Sequence, residues 1–317
     1  VDLERLRARL FDREDLTPEI GAVKEYFIAR AASEQTRTRS QHGGTVSTIM
    51  ALALREGLID TAVMARMNES ILTEGISETQ AKRVVRHGRS SFGVSPGVAE
   101  FNRLAREGST KVGAVATPCQ ALAYAKMRMK PIPDNVNNID SLKLVVGLFC
   151  SWALAWDPFL ALLKKSVDPS TITGMDIPPV EHGTMEVFTR DSTVKIPIDE
   201  AKKCIRGACH YCFDLTSEFS DISVGSALLN EPWEEAREWN QVIARTALGL
   251  ELMELARKKR LLQFREVPEG NLENLKTAAM HKKRTAIRNL KLRTHSDDDL
   301  IYLDRADPVF MALIGGG

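Results

Sequence analysis

The sequence predicts an α/β fold with mixed α+β features: a mixed sheet with flanking helices, a β-hairpin insertion near residues 184–198 and a helical C-terminal extension. Three observations carry this. Through the first two hundred residues, helical apolar periodicity alternates with short apolar runs, the rhythm of strands joined by helices. "TMEVFTRDSTVKIPI" alternates apolar and polar residues on both sides of "RDST", which is hairpin patterning. After residue 250 the chain turns basic and helical, with twelve Lys or Arg against three Glu between residues 257 and 293.

The elements follow in order. "VDLERLRARLFDRED" is charged and helix-like, without the basic-then-apolar plan of a signal peptide. "GGTVSTIMALALREG" is a helix reached through a glycine pair, and "LIDTAVMARM" is a strand. "SETQAKRVVRHG" is read as a helix capped by Ser77 and ended by Gly88, and "RSSFGVSPG" as a polar loop. "VAEFNRLAREG" is a helix, "KVGAVATPC" a small-residue strand, "QALAYAKMRMK" a helix and "LKLVVGLFC" a more apolar strand. If those two strands run parallel in one sheet, Cys119 and Cys150 share its C-terminal rim, where open α/β sheets place ligands. "FSDISVGSA" and "NQVIARTALG" are further short strands, and "LELMELARKKRLL" is a helix. The expected division is an N-terminal helical segment over 1–23, a core domain over 24–250 and a basic extension over 251–317.

Composition narrows the function classes. With 43 basic and 42 acidic side chains and 44% hydrophobic residues, the chain has no global bias toward nucleic acid or membrane. No run of about 18 apolar residues occurs. A cytoplasmic protein is expected, and no nucleic-acid partner. The basic C-terminal run reads as a solvated helical face or as a docking edge for an acidic partner. Five cysteines in such a chain point to ligands or redox centres, because reducing compartments keep thiols unpaired.

Three of those cysteines lie in "CIRGACHYC", as Cys204, Cys209 and Cys212. A thioredoxin-like dithiol needs a long helix after CxxC to lower the first thiol's pKa, and "FDLTSEFSD" is short and acidic. A zinc site usually draws on two CxxC-like knuckles, and this chain has one, so Cys119 and Cys150 would have to serve singly. Inert buried thiols explain Cys119 or Cys150 but not the cluster. An iron–sulfur cluster tolerates one pair plus two remote single cysteines and gains from nearby amides and positive charge. Five cysteines then supply four ligands and one spare, with Cys204 set apart by five residues.

"SQHGGTVSTIMALALREGLIDTAV", "GRSSFGVSP", "KVGAVATPCQA", "VVGLFC" and "GACHYCFDLTSEFSDISVG" resemble, in order and spacing, the coenzyme F420 hydrogenase/dehydrogenase beta-subunit family. The resemblance covers roughly residues 24–290, and CHxC followed by aspartate and "DISxG" is its most specific part. It implies an iron–sulfur flavoprotein: FAD, a 4Fe-4S cluster beside it, and a two-electron carrier such as coenzyme F420 as substrate. The family's cluster positions fall on Cys119, Cys150, Cys209 and Cys212. Cys204 has no counterpart, and His210 stands as a neighbour able to tune the cluster.

For the FAD, the resemblance places the glycine pair and helix start at the pyrophosphate, on Gln41, Gly43, Gly44, Thr45 and Ser47, where glycines admit a phosphate to the backbone and a helix N-terminus favours an anion. Ser90 and Ser91 are candidates for the same phosphates or the ribityl chain, and Thr117 and Gln120 flank Cys119. Asp214 and Asp221 read as structural, and no acid–base residue is named. Many relatives add a ferredoxin-like module with its own cysteines. This chain has no cysteine before Cys119, so the implied partners are other redox subunits, of a hydrogenase, a formate dehydrogenase or a ferredoxin-like carrier, in a complex that is cytoplasmic or peripheral to a membrane. Two rival functions stand beside this one: the same cofactors serving ferredoxin, a quinone-linked complex or an organic substrate, and a non-catalytic adaptor stapled by zinc.

Overall fold

Strand patterning in this chain is of the doubly buried kind, and the computed structural model shows what covers each face. It describes residues 3–68, 70–89, 91–131, 138–178, 183–295, 307, 310 and 311. The elements run α1 (Leu3–Leu10), β1 (Leu16–Thr17), β2 (Gly21–Ala22), β3 (Glu25–Ala31), α2 (Glu34–Arg39), α3 (Thr45–Arg55), β4 (Thr61–Met67), β5 (Thr73–Glu78), α4 (Ala81–Val84), α5 (Gly97–Arg106), β6 (Val112–Ala116), α6 (Pro118–Met129) and β7 (Leu142–Leu148). They continue with α7 (Trp156–Leu163), β8 (Ile172–Asp176), β9 (Thr184–Thr189), β10 (Thr193–Pro197), α8 (Ile198–Lys202), β11 (Ile222–Ser226), α9 (Trp233–Ala236), β12 (Asn240–Ala244), α10 (Ala247–Lys258), β13 (Leu262–Arg265) and α11 (Asn271–Thr294).

The main sheet has the order β13-β3-β12-β11-β7-β6-β4-β5. Its centre is parallel, with β11, β7, β6 and β4 paired in turn, and antiparallel pairs extend it on both sides. Side chains of β7 alternate between faces: Leu142 and Val145 join a core with α1, α5, α6 and α11, while Leu144 and Val146 join a core with α3 and α10. The fold is thus the expected mixed sheet with flanking helices.

The hairpin also forms, from β9 and β10, but it does not extend the main sheet. It pairs with β8 in a separate three-stranded sheet. That sheet has its own apolar cluster with α7 and α8, containing Leu154, Phe159, Met185 and Val187.

Two local expectations are corrected. Ser77 is not a helix cap: it lies in β5 opposite Val63, and the helix after it shrinks to α4 and a 3-10 turn over Val85–His87. The six residues of β5 pair along β4 from Ala62 to Met67, which outweighs the local capping signal. The helix read over residues 250–262 ends at Lys258, and Leu262–Arg265, expected to lie in a helical extension, form edge strand β13 against β3.

One buried cation joins the parts. Arg245, directly after β12 and fully buried, donates from Nε to Ser223 Oγ (2.6 Å), from one terminal nitrogen to the carbonyls of Ile20 (2.6 Å) and Ala22 (2.8 Å), and from the other to the carbonyl (3.0 Å) and Oγ1 (2.9 Å) of Thr216. Burial pushes its guanidinium down to about 10, against the opposing charges of Asp214 and Glu218. Leaving buried acceptors without their donor costs about 1–3 kcal/mol. Arg245→Met is therefore expected to lower the urea-unfolding midpoint by a corresponding amount. A midpoint within error of wild type would show that the pin does not support the fold.

Candidate functional site

The parallel order of β6 and β7 brings two cysteines to one rim of the sheet. After β6 the chain turns into α6 through a capping box, in which Gln120 Oε1 accepts from the Thr117 N–H (3.0 Å) with Pro118 in the first turn. Cys119 therefore sits in the first turn of α6, exposed, with its Sγ 3.3 Å from Thr117 Oγ1. After β7 the chain leaves the sheet at Phe149, and Cys150 follows with its N–H bonded to the Leu215 carbonyl (2.9 Å).

Cys209 and Cys212 lie in and just after a 3-10 turn, Gly207–Tyr211. The Ala153 N–H donates to Cys209 Sγ (3.4 Å), and Cys212 Sγ lies 3.6 Å from the Asp214 carbonyl. Asp214 shapes the following loop by accepting from the N–H groups of Thr216 (3.0 Å) and Glu218 (2.9 Å). Burial pushes its carboxyl up to about 6, helped by the charge of Glu218. Asp221 accepts from the Val145 N–H (2.8 Å) and Thr246 Oγ1 (2.9 Å), so both aspartates are structural.

The electrostatics group four thiols together. Burial pushes Cys150 up to about 12; Lys282 opposes this, while Cys212, Cys119 and Cys209 add to it. Burial likewise raises Cys212, which feels Lys282 and Cys119. Cys204 stands outside the group. It is 5% exposed within the apolar cluster of the small sheet, and burial raises its thiol with Glu200 and Lys165 as its charged neighbours. Among the described residues, no three of His, Cys, Asp and Glu are gathered as one metal ion requires.

Beside the thiols, between the sheet rim and the small sheet, is a cavity of about 490 Å³. Its charged lining is wholly basic or imidazole: Arg89, Lys202, His42 and His87, with no Asp or Glu among the described lining residues. Gly43 and Gly44 precede α3 with φ of +52° and +77°. A Cβ on Gly43 would stand 2.2 Å from Asn240 Oδ1, so the turn into α3 requires glycine there.

Of the residues expected at a cofactor, Gln41, Gly44, Ser47, Ser91, Thr117, Gln120 and Cys150 line this cavity. Gly43 shapes the turn without lining it. Thr45 is fully buried, with Oγ1 3.4 Å from the Ala29 carbonyl, so its side chain faces the sheet. Ser90 lies outside the described residues. His210 is exposed, and its carbonyl accepts from Asn289 Nδ2 (2.9 Å).

Sequence reasoning missed two residues here. Asp176, 1% exposed on β8, receives Gln41 Nε2 (2.6 Å), His42 Nε2 (3.3 Å) and Arg237 (3.3 Å), which ties the small sheet over the cavity. Burial alone would push its carboxyl up, but the His42 and Gln41 contacts and the Arg237 charge hold it below the usual range. Lys282 on α11 donates to the carbonyls of Cys150 (2.5 Å) and Asp214 (2.8 Å). Neither residue has a local signal: Asp176 is one acid in a strand, and Lys282 one cation in a basic run.

Two family descriptions match this chain, the beta subunit N-terminal part of coenzyme F420 hydrogenase/dehydrogenase over residues 26–99 and its C-terminal part over residues 109–270. The chain belongs to the coenzyme F420 hydrogenase/dehydrogenase beta-subunit family. It is 30% identical over 252 residues to a component of the F420H2 dehydrogenase of Methanosarcina mazei, covering 79% of this chain and 67% of that one. To the coenzyme F420 hydrogenase subunit beta of Methanothermobacter thermautotrophicus it is 27% identical over 284 residues, covering 86% and 96%. In fold it matches a chain from the F420-reducing NiFe hydrogenase complex of Methanosarcina barkeri, solved after xenon derivatization, with a TM-score of 0.79 at 22% identity, covering 89% and 96%. No helix among the described residues is long and apolar enough to cross a membrane.

Thiol exposure makes a direct test of the grouping. In the metal-free, reduced chain, iodoacetamide is expected to modify exposed Cys119 first and buried Cys204 last, as mass spectrometry of the peptides reads out. Early labelling of Cys204 would contradict its place in the apolar cluster.

Proposed function

We propose that this family member is an electron-transferring oxidoreductase subunit that binds FAD in the cavity and a 4Fe-4S cluster on Cys119, Cys150, Cys209 and Cys212, and that exchanges electrons with a two-electron carrier, coenzyme F420 first among the candidates. One observation carries the reading: the loop after β7 serves both places. Phe149, Cys150, Ser151, Trp152 and Ala153 line the cavity, and the same segment supplies the Cys150 thiol and the N–H that meets Cys209 Sγ.

The residues fit both groups. A cavity of 300–1,000 Å³ is the usual size for a cofactor or substrate, and a lining with cations and no carboxylate suits an anionic dinucleotide. Cys212, Cys119 and Cys209 all act on Cys150, and this grouping, with a lysine and a backbone N–H beside it, suits an anionic cluster. Bound in these places, a flavin exchanges electrons in pairs or singly, and a cluster takes them one at a time.

The chain's own contribution is placement. Ser47 and the first turn of α3 offer donors to an anion, since N–H groups at a helix start lack intrahelical acceptors. Arg89 is held at the cavity by its bond to the Thr173 carbonyl (2.8 Å). Partner redox subunits, of the kind the relatives' names indicate, would take the single electrons, and the exposed Cys119 marks where the thiol group comes nearest to solvent.

Purified without air, the protein is expected to contain flavin and about four iron and four sulfide per chain, the content of one such cluster. Colourless protein with one zinc would sink the reading in favour of a stapled adaptor. Cys150→Ser should lose the iron and weaken flavin retention together, whereas Cys204→Ser should keep both. Assays of the protein with its co-purified subunits against F420, NAD and ferredoxin decide the carrier; flavin and iron present without F420 turnover would assign the site to another acceptor.

A further inference from the structure

The basic run near the C-terminus contains two adjacent lysines with different surroundings. Lys283 is fully buried on α11 and its charge is met by Glu218. Lys282, one residue earlier, is half-buried and takes part in no salt bridge among the described residues. Both of its hydrogen bonds go to backbone carbonyls, of Cys150 (2.5 Å) and Asp214 (2.8 Å). Those carbonyls belong to the loops that follow β7 and the CxxC turn, so one ammonium ties together two thiol-bearing segments far apart in sequence.

The helix holds this ammonium in place. Ala279, Ala286, Ile287 and Leu290 bury its inner face. Asn289 bonds the His210 carbonyl (2.9 Å), and the Arg293 guanidinium lies 5.4 Å from the Tyr211 ring centre. Lys282, Asn289 and Arg293, spread over about three turns of α11, thus grip the loop after β7 and the CxxC turn. The charge of Lys282 is felt at both Cys150 and Cys212, opposing the effect of burial at each.

We propose that Lys282 is a positioning residue for the four-thiol group: its ammonium locks the Cys150 and Cys212 loops into one site, and its unneutralised charge favours the more negative, reduced state of the cluster held there. The inference rests on the cluster assignment made above. Its physical basis is that reduction adds one negative charge to an already anionic group, and a fixed cation in a partly water-excluded site lowers the free energy of that state. A carboxylate paired with Lys282 would cancel the effect: Glu218 is held on Lys283, and Asp214, its carboxylate turned to the Thr216 and Glu218 N–H groups, opposes Lys282 at Cys212 but not at Cys150.

The test compares anaerobically purified wild type, Lys282→Met, Lys282→Arg and, as a control with an exposed cation on the same helix, Arg284→Gln. Iron and sulfide content is measured on each, and the cluster midpoint is read by EPR-monitored redox titration. Lys282→Met is expected to be at least tenfold harder to reduce at equilibrium, a fall of about 59 mV for a one-electron couple, while Lys282→Arg stays near wild type and Arg284→Gln is unchanged. Loss of iron from folded Lys282→Met, with retention in Lys282→Arg, would equally support the tie. A Lys282→Met protein with full iron and a wild-type midpoint overturns the proposal, as does an equal fall in Arg284→Gln. Absence of iron and sulfide from the wild type would instead overturn the cluster assignment, so the two failures are distinguishable.

Discussion

The buried charges around the segment after the CxxC turn are the constraint on which the site depends. Residues 213–221 carry no regular secondary structure, yet most of them are buried, including Asp214, Glu218 and Asp221. Buried irregular backbone is stable only if its polar groups are satisfied. Here Arg245 takes the carbonyl and hydroxyl of Thr216, Lys283 takes Glu218, and Asp214 and Asp221 accept from backbone N–H groups. These bonds bring the segment under the sheet rim, and Cys212 stands at its start.

From that anchor the rest of the site follows by contact. Leu215 accepts the Cys150 N–H, Ala153 meets Cys209, and Lys282 spans from Cys150 to Asp214. The sheet rim, the loop after β7 and the CxxC turn therefore form one connected unit, with Cys150 at the cavity wall. The small sheet closes the cavity through a separate buried acid, Asp176, held by Gln41, His42 and Arg237. The function proposed above, passing electrons between two cofactors, would need them close and fixed rather than a dedicated proton-transfer side chain.

Much of this was legible in the residues. Alternating helical and strand periodicity carried the mixed sheet, because burial on both faces leaves a pattern that local sequence records. The parallel pairing of β6 and β7 placed Cys119 and Cys150 at one rim, as strand-to-helix connections require. Ser77 and β13 were misread for one reason: a paired neighbour strand decides whether a short segment is extended, and pairing is not a local property of the residues.

By itself the sequence determined the alternation of helices with the central strands, the grouping of cysteines into candidates and the likeness to a family, all of which depend on residue type and local spacing. Only the tertiary structure decided that Cys204 belongs to a separate apolar cluster and that Thr45 faces the sheet. It alone separated Lys282 from Lys283, two identical neighbours one helical step apart. A step of about 100° along a helix sends adjacent side chains to different surroundings, so Glu218 neutralises one charge and the other is left at the thiols.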